Sequence, residues 1–166
     1  GLHGSVISAV DLIKGIGICA GLNIVEVEGV TGTIHTNADG KVRAALDELA
    51  KGQDIVYLHV EAPDAVSHRG ELENKIKAIE LVDRMLGKLL EGLKVYDNYK
   101  VMVLPDHPTP LSSMTHSNKP VPFAIYTKGQ EKYTGRTFDE PTAAKGLVFP
   151  AGHKLMDYFL SGEIKL

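Results

Sequence analysis

Residues 55–68 decide the fold, and they read Ile55-Val56-Tyr57-Leu58-His59-Val60-Glu61-Ala62-Pro63-Asp64-Ala65-Val66-Ser67-His68. The first six residues are mostly apolar and β-branched, which is typical of a buried strand. The polar residues that follow lie where this strand ends and a helix begins. Asp64 and His68 are four positions apart, and one helical turn brings a carboxylate and an imidazole at that spacing to the same side.

Further apolar runs and helical patterns lie on both sides of this stretch. The predicted strands are Ser5–Val10, Asn23–Glu28, Asp54–Val60, Lys100–Pro105 and Pro122–Lys128. The predicted helices are Leu12–Leu22, Ala38–Lys51, Gly70–Leu93 and Lys154–Leu160. The third carries an apolar face at helical spacing that begins with Leu72, Ile76 and Ile79. Strands that alternate with helices predict an α/β fold, with a mostly parallel sheet and helices on both faces. We expect one domain over residues 1–166, with functional loops at the carboxyl ends of the strands.

Composition limits the classes of function. The chain has 166 residues, of which 43% are hydrophobic, so it can bury a core. A net charge of −3 and the lack of a basic stripe argue against a nucleic-acid partner. No apolar stretch approaches the roughly 18 residues of a membrane span. The single Cys19 excludes an internal disulfide and suits a reducing cytoplasm, and its apolar neighbours predict a small core residue.

The pair Asp64 and His68 is a candidate metal site. A hard carboxylate oxygen beside an imidazole nitrogen suits Mn²⁺, Zn²⁺ or Fe²⁺ better than Ca²⁺. The alternative is an aspartate at a helix start with an incidental surface histidine.

A second candidate site follows the fourth predicted strand, in Pro105-Asp106-His107-Pro108-Thr109-Pro110. Adjacent Asp and His side chains on a loop can bind one ion or divide between two ions about 4 Å apart. The alternative is a polar turn capped by Asp106. His116 lies in the polar loop before the last strand, so two aspartates and three histidines converge on one predicted edge of the sheet.

The remaining polar residues carry weaker signals. His59 lies within an apolar strand, which predicts a hydrogen-bonded core histidine. Four basic residues could contact phosphate or carboxylate, or could be solvated surface charges: Lys14, Lys41, Arg69 and Lys119.

Taken together, these motifs resemble the archaeal-type cofactor-independent phosphoglycerate mutases, which belong to the alkaline phosphatase superfamily. The resemblance covers nearly the whole chain. It is carried by residues 59–64 with His68, by residues 106–110, by Thr115-His116 and by residues 120–123, and also by residues 7–17, 29–32 and 138–140.

The resemblance implies a partial alkaline-phosphatase-like fold and a glycolytic isomerase. Members of this family interconvert 3-phosphoglycerate and 2-phosphoglycerate through a phosphoserine intermediate. They use two divalent ions, and we expect Mn²⁺, with Zn²⁺ or Mg²⁺ as alternatives. By resemblance, Asp64, His68 and His116 hold one ion, whereas Asp106 and His107 hold the other.

The family's nucleophilic serine and a further ligand aspartate come from near the amino terminus, and an inserted domain separates them from the region seen here. Neither element matches this chain, which begins with Gly1. We therefore expect the carboxyl-terminal part of a cytoplasmic enzyme, inactive alone, with an exposed sheet edge that favours a homodimer. The alternatives are a homoserine kinase-like phosphotransferase, a phosphate-ester hydrolase and a non-catalytic metal-binding module.

Overall fold

The computed structural model describes residues 1–131 and 134–163, which divide into two compact units. The first unit holds Gly1–Val95 and Thr109–Thr115, and the second holds Tyr96–Pro108 and the described residues from His116 onward. The chain therefore leaves the second unit after Pro108 and returns to it at His116. That residues 1–166 form one domain stays a prediction.

The first unit is a parallel three-stranded sheet with helices, in the strand order β2-β1-β3. Its strands are β1 (Gly4–Ile7), β2 (Asn23–Ile24) and β3 (Ile55–Leu58). Its helices are α1 (Asp11–Cys19), α2 (Ala38–Ala50), α3 (Ala62–His68) and α4 (Leu72–Gly92), and one turn of 3-10 helix follows at Leu93–Val95. This arrangement confirms the predicted α/β class.

The central strand β1 is buried along its whole length because helices cover both of its faces. The Ser5 hydroxyl donates to Glu48 Oε2 on α2 at 2.5 Å. The next side chain points to the other face, where a Cβ added to Gly17 on α1 would lie 2.9 Å from Val6 Cγ2. The prediction of helices on both faces is therefore confirmed for this unit.

The second unit is built on an antiparallel pair, β4 (Lys100–Val103) and β5 (Ala124–Thr127). Two helices follow, α5 (Glu140–Ala143) and α6 (His153–Ser161). Lys100 Nζ donates to the carbonyls of Phe159 and Leu160, at 3.0 and 3.2 Å, and so satisfies acceptors at the end of α6. The sheet pairing in this unit is antiparallel, whereas every pair in the first unit is parallel.

Two sequence expectations are wrong in detail. The apolar face predicted for α4 begins with Leu72, Ile76 and Ile79, but these side chains are 59%, 51% and 54% exposed. The buried positions of α4 are Ala78 and Met85. The small Ala78 packs against Ala62 and Val66 of α3. Cys19 is exposed at the last position of α1 rather than in the core.

Across the described ranges, no helix combines the length and apolar character needed to cross a bilayer.

Lys41 on α2 is the largest fully buried side chain in the described part of the chain. Burial lowers the pKa of Lys41 to about 8, and the Glu61 carboxylate opposes that shift. The sequence allowed either a phosphate contact or a solvated charge for this residue, and the structure shows that its charge is not solvated.

The lowered pKa of Lys41 predicts that the free energy of unfolding increases between about pH 8 and pH 10. The folded chain gives up this proton near pH 8, whereas a lysine in the unfolded chain keeps it until near its usual value of 10.5. The unfolded state then binds more protons, so stability rises by roughly 1–3 kcal/mol over this interval. Urea unfolding at a series of pH values measures the rise, which Lys41→Met should remove.

The interval ends at pH 10 because burial raises the pKa of Tyr57 above 10.0. Above that pH the unfolded tyrosine loses its proton first, and stability falls again. Equal pH dependence in the Lys41→Met variant would contradict the prediction.

Candidate metal centre

The turn between β3 and α3 positions the first two candidate ligands. The backbone N–H of His59 donates to the Ile7 carbonyl at 3.0 Å and extends the pairing with β1 by one residue. The Glu61 carbonyl then accepts from the N–H groups of Asp64 and Ala65, at 2.9 and 3.1 Å, and begins α3. Pro63 lies in the first turn, where its fixed φ favours a helix and its missing N–H has no cost.

Asp64 and His68 face each other across one turn of α3, as predicted. His68 Nε2 lies 3.3 Å from Asp64 Oδ2. His68 Nδ1 lies 2.9 Å from the Met114 carbonyl, which can only accept, so Nδ1 carries the hydrogen. Nε2 then faces a carboxylate oxygen, and a metal ion beside both atoms would stabilise that arrangement.

Residues 109–115 hold these two side chains in place. The Thr109 hydroxyl donates to Asp64 Oδ1 at 2.5 Å, and Thr109 itself is buried. Lys75 Nζ on α4 donates to the Thr109 carbonyl at 2.8 Å. Together these bonds fix one oxygen of Asp64 and leave the other facing the imidazole.

Met114 fixes the orientation of the His68 ring at the other end of this segment. Its N–H donates to the Pro110 carbonyl at 2.8 Å, and its φ of 53° lies in the left-handed region. A methionine in this conformation is uncommon and costs free energy, which the surrounding contacts offset. The same side chain packs on Gly70, where an added Cβ would lie 3.1 Å from the Met114 sulfur.

The other three candidate ligands lie together in the second unit. His107 Nε2 is 3.3 Å from Asp106 Oδ2, and the His107 N–H donates to Asp106 Oδ1 at 3.1 Å. The rings of His107 and His116 stack with their centroids 3.8 Å apart. The Ser117 N–H donates to the Pro108 carbonyl at 3.0 Å, which closes the loop that joins the two histidines.

Within the first unit Asp64 lies beside His68, and within the second unit Asp106, His107 and His116 lie together. Each group combines carboxylate oxygen with imidazole nitrogen, a donor set that fits Mn²⁺ or Zn²⁺. Sequence reasoning missed the supporting roles of Thr109, Lys75 and the Met114 carbonyl. A threonine between two prolines and close to candidate ligands was the only signal for the first of them.

Other predicted residues have structural roles. His59 is hydrogen-bonded, as predicted, with Nδ1 3.0 Å from the Ser8 hydroxyl oxygen, but it is half-buried just beyond the end of β3 rather than in the core. Lys14 pairs with Glu26 at 2.8 Å, and Arg69 forms an ion pair with Glu71.

This chain is similar to several known proteins. The family model described as "Metalloenzyme superfamily" matches residues 1–159. A Methanothrix thermoacetophila protein named 2,3-bisphosphoglycerate-independent phosphoglycerate mutase is 53% identical over 148 residues, which cover 88% of this chain and 38% of that protein. A Geobacter sulfurreducens protein named "Probable 2,3-bisphosphoglycerate-independent phosphoglycerate mutase" is 49% identical over 163 residues, or 96% of this chain and 41% of that protein.

A solved structure is also similar to this chain. The PH0037 protein from Pyrococcus horikoshii superposes with a TM-score of 0.80 at 34% identity, over 87% of this chain and 43% of that one. These similarities confirm both the family resemblance and the fold class. The chain spans about two fifths of the length of these named relatives.

We expect Thr109→Val to weaken Mn²⁺ binding about tenfold, because it removes the hydrogen bond that orients Asp64 while it keeps the side-chain shape. Water-proton relaxation enhancement measures the dissociation constant, even when binding is weak. Ser112→Ala, an exposed hydroxyl in the same segment, is the matched control and should bind as the parent chain does. Equal affinities for all three proteins would show that Thr109 has no part in metal binding.

Proposed function

Because the chain belongs to the metalloenzyme superfamily, we propose that it supplies metal ligands to a 2,3-bisphosphoglycerate-independent phosphoglycerate mutase. In the whole enzyme this region would be the carboxyl-terminal portion. The reaction would interconvert 3-phosphoglycerate and 2-phosphoglycerate in the cytoplasm through a phosphoserine intermediate. A lone, exposed cysteine without a disulfide fits that reducing compartment.

The observation that carries the proposal is the set of oriented carboxylate and imidazole donors. Asp64 is held by Thr109 and the His68 ring by the Met114 carbonyl, so both donor groups are preorganised. Supported ligands of this kind are typical of metal sites. A surface aspartate and an incidental histidine have no need of such supports.

We assign Asp64, His68 and His116 to one ion, and Asp106 and His107 to the other. The family resemblance carries this assignment. Met114, which accepts from His68, precedes His116 by two residues, and this short separation supports giving both histidines to one ion.

Bound ions, with Mn²⁺ as first candidate and Zn²⁺ or Mg²⁺ as alternatives, would supply positive charge to activate a hydroxyl nucleophile and neutralise phosphoryl oxygens. The residues of this chain position that charge. Thr109 holds one Asp64 oxygen, and the Met114 carbonyl keeps His68 Nε2 available for ligation. The proposed nucleophile is a serine that the resemblance assigns to another part of the enzyme.

We expect this chain alone to bind Mn²⁺ weakly, because the resemblance assigns one ligand aspartate to another part of the enzyme. Asp64→Asn and Asp106→Asn should each weaken that binding at least about tenfold, since each replaces a charged oxygen ligand with a neutral amide. Relaxation enhancement measures both constants, with Asp157→Asn on α6 as control. Tight binding of two ions by the unsubstituted chain would contradict the expectation of incomplete sites.

Activity is tested on the full-length protein with 3-phosphoglycerate and Mn²⁺, followed by ³¹P NMR. We expect 2-phosphoglycerate to form, and Asp106→Asn to lower the rate at least about 100-fold. If the glycerate phosphates do not interconvert, the mutase proposal is wrong. Phosphorylation of homoserine from ATP would then identify the kinase-like alternative, and release of inorganic phosphate would identify a hydrolase.

Self-association through the sheet edge is a separate proposal. Within the described residues, β3 has β1 as its one partner strand, and Tyr57 on β3 is 40% exposed. Unpaired strand edges favour association with a second chain. Sedimentation velocity over a dilution series should detect a homodimer, and Tyr57→Lys should shift it toward monomer. A monomer at every concentration would exclude this proposal.

A further inference from the structure

Lys41 is buried at a position where its charge is costly. It lies in the first turn of α2, and its N–H donates to the carbonyl of the capping residue Asn37 at 3.1 Å. The amino-terminal end of a helix carries partial positive charge, which disfavours an ammonium group. The side chain has no exposed surface, so water does not offset this repulsion. A buried charge that lowers stability is often kept because it serves the function.

The Lys41 ammonium contacts the backbone where β3 ends. Its Nζ donates to the His59 carbonyl at 2.7 Å. His59 makes two further hydrogen bonds, through its N–H to the Ile7 carbonyl and through its ring to Ser8. Residue 59 is therefore fixed in three directions, and Lys41 supplies the only cationic anchor among them.

Glu61 extends this anchor toward α3. Its carboxylate favours the charged form of Lys41, and it packs so closely on Gly32 that an added Cβ there would overlap it. Its carbonyl accepts from the Asp64 N–H at 2.9 Å. Movement of residues 59–61 would therefore move the first turn of α3 and the ligand that it carries.

We propose that Lys41 is a positioning residue for the Asp64–His68 metal site, because its ammonium group fixes the turn from which α3 begins. The proposal rests on the proposed function, since it assumes that these two side chains bind a metal ion. The hydrogen bond of Lys41 is to the backbone at residue 59, so it acts through the backbone of residues 59–61.

The elements packed against α2 carry other groups that titrate or are charged. Tyr57 lies on β3, His59 and Glu61 follow it, Glu48 lies on α2 itself, and Lys88 on α4 is paired with Asp39 at 2.6 Å. Substitution of Lys41 separates its contribution from theirs.

The test measures Mn²⁺ binding to the chain at pH 7.5 and at pH 9.0, under argon, by relaxation enhancement. A group with a pKa of about 8 is roughly nine-tenths neutral at the higher pH. We expect the affinity of the unsubstituted chain to fall several-fold between the two pH values, while its stability toward urea rises. If Lys41 affected stability alone, the Mn²⁺ affinity and the stability toward urea would not change in opposite directions.

Lys41→Met should bind Mn²⁺ about tenfold more weakly at pH 7.5 and should lose the fall in affinity at pH 9.0. Lys88→Met removes an exposed lysine that is paired with α2 and should match the unsubstituted chain at both pH values. The proposal is overturned if Lys41→Met binds as tightly as the parent, or if it keeps the same pH dependence.

A measurement without metal separates this proposal from the proposed function. The backbone amide signals of Asp64 and Ala65 in ¹⁵N NMR spectra should shift with a midpoint near pH 8 in the unsubstituted chain and not in Lys41→Met. If the unsubstituted chain binds no Mn²⁺, the metal site is wrong, and the amide shifts still decide whether Lys41 positions α3. Flat amide shifts in the unsubstituted chain would refute the role of Lys41 whatever the metal result.

Discussion

The parallel pairing of β1 with β3 is the constraint on which the site in the first unit depends. Ile7 pairs with Leu58, and the ladder ends one residue later at the hydrogen bond from His59 to Ile7. That end point determines where α3 begins, and therefore which turn carries Asp64 and His68. A register shift of one residue would exchange the two faces of β3 and bury the wrong side chains. The buried β1, with helices on both faces, resists such a shift.

Polar contacts add to an apolar cluster in fixing α3 and its candidate ligands. The buried cluster at this helix consists of Ala62, Val66 and Ala78, and Ile34 and Val60 pack against it. The Ser67 hydroxyl bonds back to the Pro63 carbonyl at 2.5 Å, and Thr109 and Met114 bind the two candidate ligands. Hydrogen bonds are directional, so they specify the orientation of a side chain more narrowly than apolar contact does.

The sequence predicted those features that depend on local periodicity. The alternation of strands and helices gave the α/β class, and the spacing of Asp64 and His68 placed both on one helical face. Periodicity shows which residues share a face, but not which face a neighbour covers, and for that reason the exposed Leu72, Ile76 and Ile79 were assigned to the core. The bond between Thr109 and Asp64 spans 45 positions, and no local pattern reports a contact at that separation. The burial of Lys41 was likewise not predictable from the sequence, because a charged residue on a helix is normally solvated.

The register between β4 and β5 has a consequence for the loop that carries Asp106, His107 and His116. Val103 pairs with Ala124, so residues 104–123 form a ring of about twenty residues closed by the strand ladder. The entropy lost on closing such a ring grows only with the logarithm of its length, by about 0.6 kcal/mol for each doubling. Insertions between the anchored positions are therefore inexpensive, whereas loss of an anchor is not. Evolution can lengthen this loop at little cost, provided that Thr109 and Met114 keep their hydrogen bonds to Asp64 and His68 on α3.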